Sequence, residues 1–183
     1  MTPRVLIDAN VLFPTILREI VLGTAAAGHF EPLWSARILE EWARAARRLP
    51  LGAEPLARAA AEAMRARWPQ AEVPADPDLE AALSLPDPAD RHVLSAAIAG
   101  GADFLLTQNL GDFPAAALAP RGLRALGPDA FLVELADSGA DLAGVAEAVR
   151  ARTEAFAGAP RALRPLLKRA RLPRLAKRLS GAG

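Results

Sequence analysis

Four acidic positions in this sequence lie where an apolar strand or helix has no packing reason to hold a charge. The four positions are Asp8, Glu40 or Glu41, Asp87 or Asp90, and Asp112. Each alone has an ordinary explanation, such as capping a helix, closing a turn or facing solvent. If they meet, however, they repel one another unless a positive charge lies among them, and no lysine occurs before Lys168. A bound cation is therefore the simplest way to hold them together.

The residue types restrict which cation this would be. The chain has no cysteine and two histidines, so its candidate ligands are hard carboxylate and amide oxygens. Such ligands favour Mg²⁺ or Mn²⁺ over zinc or copper. An ion held by a few carboxylates keeps bound water, whose pKa it lowers, and it neutralises charge on a phosphodiester. The chemistry predicted here is metal-assisted hydrolysis of a phosphate ester.

Two buried strands would bring these acids together. The run at 4–8 predicts a strand that ends at Asp8, and 104–107 predicts a second one that ends at Thr107. Between them, a helix opens at Asp87 or Pro88 and ends at Gly100. Alternating strand, helix and strand indicates the α/β class with a parallel sheet, in which ligands bind beyond the carboxyl ends of the strands. Asp8 and the segment 109–112 lie at that edge.

Further helices are predicted along the chain. Pro14 starts one that ends near Gly28, Ser35 caps one that runs toward Leu49, and 54–67 forms another. Two more follow Gly127, and three prolines interrupt a basic helical tail. A length of 183 residues, 52% of them hydrophobic, fits one compact domain. The chain shows no signal peptide or membrane span, so we expect a cytoplasmic protein without membrane contact.

Charge is distributed unevenly between the two ends of the chain. Residues 1–149 carry 12 basic and 20 acidic side chains, whereas 150–183 carry 10 basic and 1 acidic. The tail could consist of two short helices that dock on the domain through leucines, or it could contact RNA phosphates, or it could meet an acidic partner. The sequence leaves these three interpretations open.

Three motifs of this sequence resemble those of PIN domains, close to the bacterial toxins of the VapC kind. The motifs are LIDANVLF, SARILEEW and LPDPADRHVLSAAIAGGADFLLTQNLGDFP. The resemblance covers roughly residues 3–135. It implies a three-layer α/β/α fold around a parallel sheet as a nuclease domain over 1–135, with a C-terminal helical extension over 136–183. It also implies an Mg²⁺- or Mn²⁺-dependent endoribonuclease that acts on RNA. An antitoxin protein is the expected partner, and a homodimer is a family expectation.

The resemblance also assigns site residues. The metal ligands and catalytic acids it implies are Asp8, Glu41, Asp90 and Asp112; Glu41 is preferred to Glu40 because it directly precedes Trp42. The supporting residues that it implies are Asn10, Thr107 and Asn109. Asn109 stands where many family members have an aspartate, and it offers a carbonyl oxygen but no charge. His92 follows Arg91 on the late helix and could approach the pocket, although a lone histidine there is more often a packing or surface residue.

Two other functions remain open on the residues alone. A phosphatase-like hydrolase on a similar sheet also places an aspartate after the first strand, but it usually needs a lysine near the pocket. A PIN-like RNA-binding or interaction module without catalysis would fit Asn109 and the basic tail.

Overall fold

Five parallel strands form the centre of the molecule in a computed structural model that describes residues 2–181. The strands are Arg4–Ile7 (β1), Glu31–Ser35 (β2), Glu72–Val73 (β3), Phe104–Leu106 (β4) and Arg124–Leu126 (β5). Their order across the sheet is β3-β2-β1-β4-β5, and every neighbouring pair is parallel. The first strand is therefore central. In register, Leu6 of β1 lies between Leu33 of β2 and Leu105 of β4.

Helices connect and cover these strands. The α-helices of the described residues are Ala9–Leu12 (α1), Thr15–Ala26 (α2), Ala36–Ala45 (α3), Ala53–Arg67 (α4), Pro77–Ala82 (α5), Arg91–Ala99 (α6), Ala115–Leu118 (α7), Pro128–Asp137 (α8), Leu142–Ala157 (α9), Leu163–Arg169 (α10) and Pro173–Ser180 (α11). Helix α6 packs across β2, β1 and β4, and α2 and α3 pack against β2. The predicted α/β/α class with a parallel sheet and C-terminal helices is confirmed.

The core consists of the apolar strands and the helix faces that meet them. The side chains of β1 from Val5 to Ile7 are fully buried, as are Leu105 and Leu106 of β4. Phe131 of α8 packs edge-on against Phe30, with ring centroids 5.4 Å apart. Strands buried on both faces read as continuous apolar runs, which is why β1 and β4 were visible in the sequence.

The C-terminal helices pack on the rest of the protein. Helix α9 lies against α2, α10 lies against α9 and α2, and α11 lies against α8 and α10. The division of the chain at residue 135 stays a prediction; α8 runs through it. None of the helices within 2–181 is both long enough and apolar enough to cross a bilayer.

Candidate active site at the carboxyl edge of the sheet

Asp8 follows β1 directly, at the centre of the sheet's carboxyl edge. Its backbone N–H donates to the carbonyl of Leu106 at 3.0 Å, and the residue is only 7% exposed. Thr107 Oγ1 donates to Asp8 Oδ2 at 2.7 Å, and Asn10 Nδ2 donates to the same oxygen at 2.6 Å. Burial raises the pKa of the Asp8 carboxyl; the Thr107 hydrogen bond works against this rise, and the charge of Glu41 adds to it.

A network of hydrogen bonds joins the ends of β1 and β4 around Asp8. Asn10 Nδ2 also donates to Thr107 Oγ1 at 3.0 Å, and the backbone N–H of Asn109 donates to that oxygen at 3.0 Å. Gln108 holds Asn10 twice: its backbone N–H donates to Asn10 Oδ1 at 2.9 Å, and its Nε2 donates to the Asn10 carbonyl at 2.6 Å. The orientation of the Asp8 carboxylate is thus fixed by Asn10 of α1 and by Thr107, which directly follows β4.

Asp90 and Asp112 are the next acids at this edge. Asp90 immediately precedes α6, and Asp112 ends the short turn Leu110–Asp112 after β4. Partial burial and the negative charges of Asp8, Asp112 and Asp87 raise the pKa of Asp90 to about 6. Asp87 has a separate role, since its side chain accepts a hydrogen bond from the N–H of Ala89 at 2.8 Å. Asp8, Asp90 and Asp112 are therefore electrostatic neighbours, and Asp87 caps the turn before α6.

Glu41 approaches from α3, which Ser35 starts by accepting a hydrogen bond from the N–H of Ile38 at 3.2 Å. Its Oε1 lies 3.1 Å from His92 Nε2 and 3.2 Å from Arg37 Nε. Partial burial acts to raise the pKa of Glu41, but the hydrogen bonds from His92 and Arg37 outweigh it and leave the pKa lowered.

Glu40, the alternative helix acid, faces away from this group. It pairs with Arg44 at 2.7 Å and with Arg58 of α4 at 2.7 Å. Those two arginines lower the pKa of Glu40 to about 2. Of the two glutamates, only Glu41 acts on the pKa of Asp8.

We refer to Asp8, Glu41, Asp90 and Asp112 as the acidic cluster. Within 2–181, Asp8, Asp90 and Asp112 form no ion pair with any arginine or lysine. In the same part of the chain, no three carboxylate or histidine side chains already converge as a metal site. Negative groups that lack a counter-charge stand apart, so a cation would have to draw them together. The oxygen donors and the raised pKa of Asp90 suit a divalent cation.

Three contacts at the site were not foreseen from the sequence. His92 is buried, with 6% of its surface exposed, and it also contacts Glu41 at the site. Gln108 anchors Asn10, and Arg171 of the basic tail donates from Nη1 to Gln108 Oε1 at 3.1 Å. Asn109 is exposed, and only its backbone takes part in the hydrogen bonds found here. No short sequence motif could have predicted the contact between Glu41 and His92, because the two residues come from different helices.

Comparison with known proteins gives two matches. The family model for the PIN domain matches residues 4–111, which include Asp8, Glu41 and Asp90 and end one residue before Asp112. VapC50 of Mycobacterium tuberculosis, which is named as a ribonuclease, is 48% identical to this chain over 48 residues. That stretch is 26% of this chain and 28% of VapC50, so the chain matches little more than a quarter of that relative. No solved structure matches the chain.

Proposed function

This chain belongs to the PIN domain family, and we propose that it is an endoribonuclease that depends on Mg²⁺ or Mn²⁺. The observation that carries the proposal is the buried Asp8 carboxylate, which Thr107 and Asn10 fix and whose charge acts on Asp90, an acid without a basic partner among the described residues. A rigid carboxylate in such surroundings favours a divalent cation over a mobile counter-ion.

Asp8, Asp90 and Asp112 would hold the ion, and Glu41 would complete the ligand set or orient a bound water. When bound, the ion lowers the pKa of a water molecule and neutralises charge on the phosphodiester. The protein's own contribution is positioning. Thr107 and Asn10 fix the Asp8 carboxylate, while His92 and Arg37 hold Glu41 ionised and oriented. We propose that the amide oxygen of Asn109 binds a ligand or a water molecule at the open edge of the acidic cluster.

The biological role that we propose is the toxin of a toxin and antitoxin pair in the cytoplasm. The match to VapC50 supports this role. RNA would then be the substrate and an antitoxin protein the partner, and a homodimer follows from the family expectation. A second candidate is an RNA-binding module without catalysis, which Asn109 favours because it places a neutral amide at the open edge of the acidic cluster.

The test is metal-dependent cleavage of single-stranded RNA by the wild-type protein and the Asp8→Asn variant. Asparagine keeps the shape of the side chain but removes the charge that a cation requires. Asp103→Asn is the matched control, because Asp103 precedes β4 and therefore lies at the opposite edge of the sheet. We expect cleavage with Mn²⁺ or Mg²⁺, none with EDTA, and a loss of about 100-fold or more in Asp8→Asn. Equal cleavage by wild-type and Asp8→Asn protein would refute the assignment.

A further inference from the structure

A left-handed turn connects the last two helices, α10 and α11. Arg171 occupies this turn with φ 60°, and it is the only non-glycine residue with a positive φ within the described range. Its N–H donates to the carbonyl of Lys168 at 3.1 Å, and the N–H of Leu172 donates to Leu167 at 2.9 Å, which ends α10. Glycine is the usual residue at such a helix end, because a side chain is strained there. An arginine held in this conformation indicates a role for its side chain.

The backbone around Arg171 is firmly anchored. Leu167, Leu172 and Leu175 on both sides of the turn are fully buried. The carboxylate of Asp129, in the first turn of α8, accepts hydrogen bonds at 2.9 Å from the N–H groups of Arg174 and Leu175. The turn is therefore fixed to the main sheet-bearing body, and the starting point of the Arg171 side chain is set by packing.

The Arg171 guanidinium reaches the edge of the acidic cluster without pairing with an acid. It donates to Gln108 Oε1 at 3.1 Å; Gln108 donates to Asn10, and Asn10 donates to Asp8. A guanidinium carries five N–H donors. Within 2–181 the only hydrogen bond found for the Arg171 side chain is the one to Gln108, so other donors of this exposed residue remain open to a ligand.

Arg171 is also part of a larger basic surface. Of the ten basic residues after 149, Arg150, Arg152 and Arg178 form ion pairs with acids. The other seven are exposed and form no ion pair within the described residues. We call them the basic surface: Arg161, Arg164, Lys168, Arg169, Arg171, Arg174 and Lys177. Arg161 and Arg169 line a groove of about 530 Å³ that also borders Pro14, six residues after Asp8.

From the left-handed turn, the open guanidinium and its link through Gln108 to Asp8, we infer that Arg171 binds a phosphate of single-stranded RNA next to the scissile one. The inference rests on the proposed function. Arginine suits this task because its planar fork binds phosphate oxygens in pairs. The basic surface would extend these contacts along the strand without reading its sequence. An RNA phosphate fits better than an acidic protein, because Arg171 lies beside the residues proposed to carry out the reaction.

The test compares wild-type protein with Arg171→Gly and Arg171→Asn, both of which suit a left-handed turn. The control is Arg124→Gln, which removes one charge at the start of β5 on the opposite edge of the sheet. Cleavage of a short fluorescein-labelled single-stranded RNA gives KM and kcat. Binding of the same RNA in EDTA, between about 50 and 200 mM salt, gives the salt dependence of affinity. Thermal unfolding checks that the variants are folded, and we expect an equal or higher Tm for Arg171→Gly.

We expect KM to rise about tenfold in both Arg171 variants, with little change in kcat and none in the control. The slope of log affinity against log salt should fall by about 0.7, the value for one lost phosphate contact on a single strand. Unchanged KM and slope, with an active wild-type enzyme, would overturn the inference and leave an acidic protein as the partner. If the wild type binds RNA but does not cleave it, the nuclease proposal fails, and the salt slope alone decides on Arg171. Neither binding nor cleavage by the wild type overturns both.

Discussion

Neutralising Asp90 should stabilise the metal-free protein, because its charge is unfavourable in the folded state. The folded pKa is about 6, above the ordinary value of 3.8, so the folded state holds this proton more tightly than the unfolded state does. The contribution of Asp90 to the stability of the folded state is therefore most favourable below about pH 4, and it is lost as the pH rises through 6. Asp90→Asn removes the charge while keeping the size of the side chain, so at about pH 8 the variant should be the more stable protein.

The size of this gain follows from the pKa. A rise of about two pKa units corresponds to about 3 kcal/mol as an upper limit. Asp90 is only partly buried, and solvent screening reduces the gain to about 1 kcal/mol. For a chain of this length, that is a rise in Tm of about 2–4 °C. At about pH 4.5 the difference should shrink to roughly a third, because the folded wild type is then protonated at Asp90.

Thermal unfolding in EDTA at both pH values measures the effect. Asp78→Asn is a suitable control, because Asp78 is exposed and forms no ion pair or side-chain hydrogen bond within the described residues; its Tm should change by less than about 1 °C. Adding Mn²⁺ should raise the Tm of wild-type protein more than that of Asp90→Asn, because the variant lacks a ligand. If the Tm of Asp90→Asn is lower than that of wild type at pH 8, or if the difference between the two Tm values does not change with pH, the folded state does not disfavour the Asp90 charge and the reasoning is refuted.

Two further predictions concern the support of Glu41. His92→Phe fills the buried space but removes the contact with Glu41 at 3.1 Å, so we expect the pKa of Glu41 to rise. The affinity for Mn²⁺, measured by calorimetry, should fall about tenfold. Unchanged affinity would leave Glu41 outside the metal site. Ser35→Ala removes the cap of α3 and should cost about 1 kcal/mol in urea unfolding, whereas Ser35→Thr should retain most of that stability. Equal stability of the alanine and threonine variants would contradict the capping role.

The central part of the fold was predictable because its signals are local. The strands β1 and β4 are uninterrupted apolar runs, and Ser35 is a strong cap at the start of α3. Strand β2 escaped prediction because Pro32, which normally excludes a central strand, lies in it. The structure tolerates this proline because the pairing of β2 with β3 begins only at Trp34. The N–H group that Pro32 lacks would therefore have no acceptor on β3. Strands β3 and β5 are too short for any pattern to appear.

The part of the candidate site that topology decides could be predicted from the sequence, while the roles of its residues stay a prediction. Parallel strands must bring Asp8 and Thr107 to one edge, and the structure joins them by a hydrogen bond of 2.7 Å. The contact between Glu41 and His92 depends on how α3 and α6 pack across the sheet, which no short motif records. The same holds for Arg171, which lies 63 residues after Gln108 and whose place depends on how α10 and α11 dock.

The two amides between Arg171 and Asp8 explain how opposite charges can share one edge of the sheet without cancelling. If the guanidinium paired directly with Asp8, the two charges would neutralise each other, and neither would be available to bind a cation or a phosphate. Instead, Gln108 accepts from Arg171 at 3.1 Å, and Asn10 donates to Asp8 at 2.6 Å, so neutral groups separate the charges while fixing both side chains. The negative charge of Asp8 therefore stays available to a cation, and Arg171 keeps N–H donors that can bind an anion. The metal-dependent nuclease that we propose would require both at once, and in this chain with a net charge of +1 the acidic cluster and the basic surface lie at separate places.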